Sequence, residues 1–197
     1  MNIFRGVCVL TLLSIFGYVG YVNAENVKIK ATDELECLAL NIYHEARSES
    51  LAGQYAVSDV TLNRVKDTRY PSTICGVVKQ AVMSEWAVQQ GLFIPKRNQC
   101  QFSWYCDGRS DAPVEQYAWL RAKGVSEDIL SYRKFRGITE GATHYHASYV
   151  EPEWSFHRKM KLIGRIGDHI FYVEEENVTR CCDCGFSKYK CSKRFCA

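Results

Sequence analysis

From residue 35 to residue 65 the apolar positions fall at helical spacing. Leu35, Leu38, Ala39, Ile42 and Ala46 form one stripe, and Ala52, Ala56, Val57, Val60, Thr61 and Val65 form a second behind Ser50, a good cap. The pattern predicts a helix closing in Asn41–Glu49 (NIYHEARSE) and another over Ser50–Lys66. Tyr70-Pro71-Ser72 breaks the periodicity. Beyond it the reading is a short helix over Gly76–Met83 and a basic loop over Gly91–Asn98. Gln101–Tyr105 alternates like a strand, Gln101 and Ser103 on one face, Phe102 and Trp104 on the other. Asp111, Pro113 and Glu115 open a helix that Gly124 breaks; Ser126 caps a further one to Arg136, ended by Gly137. His144 and His146 share one face if Ala142–Tyr149 is extended, and Leu162–Tyr172 reads as a hairpin turning near Gly164 and Gly167. Helices first and short strands later make the class α+β.

One polar residue sits badly in this pattern. Glu45 lies seven residues after Leu38 and three after Ile42, on or beside the apolar stripe. A carboxyl held against apolar surface is poorly solvated when ionised, so its pKa rises toward what a general acid needs. The competing reading is a salt bridge to Arg47 or Arg64 that ties two helices together. Asn63 and Arg64 could face Glu45 from the second helix, or cap and solvate that helix.

Composition is that of a globular chain, 197 residues with 47% hydrophobic and 24% charged. Residues 1–24 differ: Arg5, the apolar run Gly6–Val22, then Val22-Asn23-Ala24, a signal-peptide pattern with cleavage before Glu25. The competing reading is an uncleaved membrane anchor. Cleavage would leave nine of the ten cysteines, since Cys8 goes with the signal, and so many in an exported chain read as disulfides. Cys100 and Cys106 are close enough to close a loop around QFSWY, and Cys37 with Cys75 would join the first helix to the segment after Pro71. Spacing alone does not settle connectivity. The catalytic body is read as 25–177. Residues 178–197 form a basic tail with Cys181, Cys182, Cys184, Cys191 and Cys196, in a spacing that fits no zinc pattern.

NIYHEARSE, LAGQYAVSDVTLNRV, YPSTICGVVKQ, QCQFSWYCDG, GATHYHASYVEPEW and IGDHIFY stand in one order from about Glu34 to Val173. In that order they resemble the spore cortex-lytic (SleB-type) family of bacterial cell wall hydrolases. One departure is that the family usually reads EARGE where this chain has Ser48. The resemblance implies a lysozyme-like fold and a peptidoglycan glycan-strand hydrolase. The expected chemistry is that of a lytic transglycosylase cutting between N-acetylmuramic acid and N-acetylglucosamine, with Glu45 as acid and base. It also implies a cleft lined by His144, Tyr145 and His146. Gln101 and Ser103 would bond sugar or peptide groups there and Trp104 would stack on a ring, the alternative being a plain half-buried strand; Trp154 would stack on a sugar or plug the core. A second carboxylate, if one is used, would be Glu49, Asp107, Glu140 or Glu151. No cofactor and no nucleic acid is expected; the partner is the glycan strand, and the place is the periplasm, envelope or exterior.

Two alternatives come from other classes. His144 and His146 with His157 or His169 would make a zinc peptidase or amidase. A non-catalytic, disulfide-rich envelope-binding protein would keep the fold without the chemistry.

Overall fold

A computed structural model describes residues 33–175; the expected signal segment and cysteine-rich tail lie outside the described residues. Helix α1 is helical over 33–46 and α2 spans Leu51–Lys66. They are followed by α3 (Ile74–Val78), β1 (Ala81–Met83), α4 (Glu85–Gln89) and β2 (Pro95–Cys100). After a 3-10 turn over Ser103–Cys106 come α5 (Gln116–Ser131), β3 (His144–Ala147), a second 3-10 turn over Glu153–Phe156, β4 (Met160–Ile166) and β5 (His169–Glu174). The α+β order expected from the pattern is the order found. Among the described residues no helix is long and apolar enough to cross a membrane.

Helix α2 is the centre. Ser50 caps it, its hydroxyl accepting from the Gly53 amide at 3.2 Å, as its sequence predicts. Its apolar residues serve two cores. Tyr55 and Leu62 pack with Leu38 and Ile42 of α1, Val77 of α3 and Ile129 of α5. Ala56 and Val60 meet Ala142 and Phe171, with Tyr145 and Ile163 closing over them. Its polar residues hold the loops: buried Asp59 accepts from the Gly137 amide at 2.8 Å and from the Thr139 amide and hydroxyl at 3.1 and 2.6 Å. That anchor fixes a stretch where Arg133, Phe135 and Glu140 have φ of 56°, 56° and 50°, a conformation costly without outside support.

Four expectations are corrected. Gly76–Met83 is not one helix: Thr73 caps α3 and the chain then enters β1. The basic loop holds strand β2. Gln101–Tyr105 is a bend and a 3-10 turn instead of a strand, although Phe102 and Trp104 are buried and Gln101 and Ser103 exposed as the alternation required. The two helices around Gly124 are a single helix, α5, and the chain from 133 to 136 turns. A mid-helix glycine costs about 1 kcal/mol, less than the burial of Ala118, Ala122, Val125 and Ile129 on the same helix returns.

β3, β5 and β4 form an antiparallel sheet in that order, β4 and β5 being the expected hairpin with Gly167 at φ 62° in its turn. Cys37 is bonded to Cys75 and Cys100 to Cys106, the two pairs the spacing suggested. Ser48 is not among the residues with positive φ, so serine carries no strain there. Glu49 is taken up structurally. Its carboxylate accepts from the Asp168 amide at 3.1 Å and lies 3.3 Å from His169 Nδ1. Gly53 and Gly167 make the notch, since a Cβ at either would collide with Glu49.

Candidate active site

Glu45 stands in the last turn of α1, with its carboxyl largely withdrawn from water although the residue as a whole is partly exposed. The Tyr145 hydroxyl donates to Glu45 Oε2 at 3.2 Å. Burial raises the carboxyl pKa, and the Tyr145 hydrogen bond and the more distant Arg64 charge offset part of that. The salt-bridge reading does not hold among the described residues. Arg47 pairs with Glu115 at 3.2 Å. Arg64 donates from Nε to the Thr143 carbonyl at 2.7 Å and lies over the Tyr70 and Phe102 rings, each centroid at 5.4 Å. A buried guanidinium thus biases Glu45 from beyond contact distance. The Tyr145 hydroxyl is pushed well above its ordinary pKa, first by its burial and then by Glu45, so it remains a donor.

Strand register decides which side chains reach this carboxyl. Tyr145 pairs with Phe171, and both face α2. His144 and His146 therefore project to the other side of the sheet, opposite Tyr172 and Ile170. The two histidines do share a face, as expected, but the residue that β3 delivers to Glu45 is Tyr145. On the outer side the histidines box in Trp154, ring centroids 5.5 Å from His144 and 5.6 Å from His146, with Tyr172 also at 5.5 Å. His146 Nδ1 faces the Ala147 carbonyl at 2.9 Å and must carry the proton, which leaves Nε2 to accept from the Tyr172 hydroxyl at 3.1 Å. Burial, with help from Arg64, lowers the His144 pKa, so this side chain is neutral at pH 7.

Both tryptophans differ from free stacking platforms. Trp104 is 9% exposed, stacks on His44 at 4.4 Å and donates to Asn41 Oδ1 at 3.4 Å. Trp154 is partly buried in the histidine box. Gln101 and Ser103 are exposed. Donors for zinc do not converge: both His146 nitrogens are engaged, His157 Nδ1 faces the Lys159 amide at 3.4 Å, and His169 lies on the Tyr145 side of the sheet against Glu49. No cluster of three His, Cys, Asp or Glu suited to a metal occurs among the described residues.

Sequence reasoning missed Asn41, which joins Trp104 to Thr61 behind the site; its i, i+4 spacing to Glu45 was the available signal. It also missed the β1–β2 hairpin, whose short strands carry little periodicity.

Tyr145→Phe tests the hydrogen bond. The bond lowers Glu45's proton affinity, so its loss moves the alkaline limb of the kcat/KM profile to higher pH, with turnover falling by at most about tenfold. An unmoved limb would mean that Tyr145 does not tune Glu45.

A family model described as Cell Wall Hydrolase matches residues 48–172, a stretch that begins three residues after Glu45. Two solved structures are similar to the chain. The catalytic domain of the Bacillus cereus SleB protein is 24% identical with a TM-score of 0.44, covering 72% of this chain and 90% of that one. The catalytic domain of the germination-specific lytic transglycosylase SleB from Bacillus anthracis is 25% identical with a TM-score of 0.44, covering 71% and 93%. Among curated proteins none matches the chain.

Proposed function

The chain belongs to the cell wall hydrolase family, and from that premise we propose that it cleaves the glycan strands of peptidoglycan as a lytic transglycosylase, with Glu45 as general acid and base. The observation that carries the reading is the state of Glu45: a desolvated carboxyl with raised pKa, held by the Tyr145 hydroxyl and, among the described residues, in no ion pair. Such a group holds its proton to higher pH than an ordinary carboxyl and can give it to a leaving oxygen.

In the first step Glu45 protonates the glycosidic oxygen between N-acetylmuramic acid and N-acetylglucosamine. The C1–O bond breaks and positive charge builds at C1. In the second, the muramyl C6 hydroxyl attacks C1 and Glu45, now a carboxylate, takes that hydroxyl's proton. No water is consumed, and the acid returns to its starting state. Arg64 supplies fixed positive charge while Glu45 is ionised, and Tyr145 supplies a hydrogen bond to it.

Hydrolytic glycosidases need a second carboxylate. Of the four considered, Glu49 is occupied by the Asp168 amide and His169, and Asp107 accepts from the Arg109 amide at 2.8 Å. Glu140 and Glu151 are exposed. These engagements favour the single-carboxylate route. Cleavage of the catalytic body from an N-terminal signal, and a separate anchoring role for the basic tail at 178–197, belong to the same proposal.

Mass spectrometry of digested sacculi tests the reaction type. The expected fragments end in 1,6-anhydro-muramyl groups that lack the water a hydrolytic end gains. Reducing ends would make the enzyme a hydrolase with a second base, and free peptides would return attention to the zinc alternative.

A further inference from the structure

The chain that joins β1 to β2 stands outside both cores. None of the residues from Val82 to Ile94 belongs to either buried cluster, and α4 within this stretch buries Ala87 alone. Backbone bonds still close the stretch into one lobe. The Ser84 amide donates to the Ile94 carbonyl at 2.8 Å, and the Leu92 amide to the Ala87 carbonyl at 2.9 Å. Val82, Trp86, Val88, Leu92, Phe93 and Ile94 are all exposed on it, Phe93 at 84% and Trp86 at 66%. They are six of the sixteen large apolar side chains exposed among the described residues, so the exposure is concentrated here. Single exposed apolar residues need no explanation, but a cluster of them marks a surface that something covers.

We propose that this lobe seats in the interface of an anionic lipid bilayer, resting on the membrane without crossing it. Leu92, Phe93 and Ile94 are consecutive as the chain enters β2, so they cannot all face one way. A protein partner covers one face of such a tip, whereas a bilayer interface surrounds it. Four of the six side chains are aliphatic, and the Trp86 indole N–H is the one polar group they carry. A sugar site needs several placed donors and acceptors; aliphatic chains and rings with one polar edge match the boundary between headgroups and acyl chains. Charge points the same way. Lys96 and Arg97 follow the tip. Lys96 meets Glu85 at 3.0 Å, while Arg97 donates from Nε to the Asp107 carbonyl at 3.2 Å and is in no ion pair among the described residues. Basic side chains beside an apolar tip reach lipid phosphates while their stems stay in apolar surroundings. A symmetric pair of copies would instead bring these cations to one interface.

Trp86 reports on the contact. The full chain is mixed with vesicles of phosphatidylglycerol and phosphatidylcholine, with and without brominated acyl chains, and Trp86 emission is taken as the difference between wild type and Trp86→Phe. That emission is expected to shift to shorter wavelength and to be quenched by the brominated chains, more strongly than with vesicles of phosphatidylcholine alone. Leu92→Ser combined with Phe93→Ser, both at exposed positions, should need at least about tenfold more lipid for the same shift and leave melting nearly unchanged. Reading the contact at Trp86 makes any hold by residues 1–24 common to every arm. Emission that lipid does not shift, an equal response to neutral vesicles, or an unaltered lipid requirement in the double variant overturns the proposal. A shift on raising protein concentration without lipid assigns the lobe to a second copy, and a shift with lipid-free sacculi assigns it to glycan; either result also overturns it. None of these readouts involves turnover, so failure here is distinguishable from failure of Glu45 as the acid.

Discussion

Glu45→Gln is expected to release fragments from sacculi at least about 100-fold more slowly than wild type while melting at the same temperature or higher. Glutamine keeps the shape and can still accept from Tyr145, but it has no proton to give. Removing general acid catalysis is worth about 10²–10⁴-fold, and more where one group serves as acid and then base. The stability expectation follows from the raised pKa. A carboxyl whose folded pKa exceeds its unfolded value favours folding most while protonated, below the unfolded value. That contribution is lost as pH rises through the folded pKa. Above the folded pKa the wild type therefore holds a reluctant charge that glutamine does not, and the advantage of the variant should shrink as pH is lowered through that pKa toward the unfolded value. A salt-bridge role predicts the reverse, since stranding a buried arginine costs about 3–5 kcal/mol; Arg64, held by Thr143 and two aromatic rings, is not stranded by the change. Turnover and thermal melting measured on the same preparation decide it. A folded variant that retains near-normal turnover removes Glu45 from the mechanism.

The second large effect is on stability. Cys37 and Cys75 are 38 residues apart and tie α1 to α3, whereas Cys100 and Cys106 are separated by 6. In the chain-entropy account, opening the longer loop costs about 4 kcal/mol and the shorter about 2 kcal/mol. For a domain of this size the Cys37→Ala, Cys75→Ala double variant should melt roughly 10 °C lower than wild type, and the Cys100→Ala, Cys106→Ala variant by about half as much. Thermal melts of the two variants under non-reducing conditions provide the comparison. Equal losses, or the reverse order, would show that loop length does not set what these two bonds contribute.

What could be read in advance followed from strong local signals. Ser50 with its apolar run placed α2, and Gly167 with Ile170-Phe171-Tyr172 placed the hairpin, because cap and turn chemistry is written in adjacent residues. Glu45 was legible for the same reason: a carboxyl on an apolar stripe is a local contradiction. The failures were tertiary. Gly124 looked like a break because its sequence cost is visible and the burial that outweighs it is not. Phe102 and Trp104 showed strand-like alternation because both are buried, while the backbone beneath them is a 3-10 turn. His144 and His146 were read to one face, as they are, but only the pairing with β5 reveals that Tyr145 faces Glu45 and they do not.

The clamp at Glu49 has a mechanical consequence. Tyr145 of β3 holds Glu45, and the β4–β5 turn holds Glu49 four residues further along, while β5 joins those two strands edge to edge. The end of α1 and the three-stranded sheet are thus pinned to each other at two points, Glu45 and Glu49. Among the described residues β1 and β2 pair with each other and not with that sheet. In the proposed role, then, the aim of Glu45 is set by the sheet and is independent of the β1–β2 hairpin.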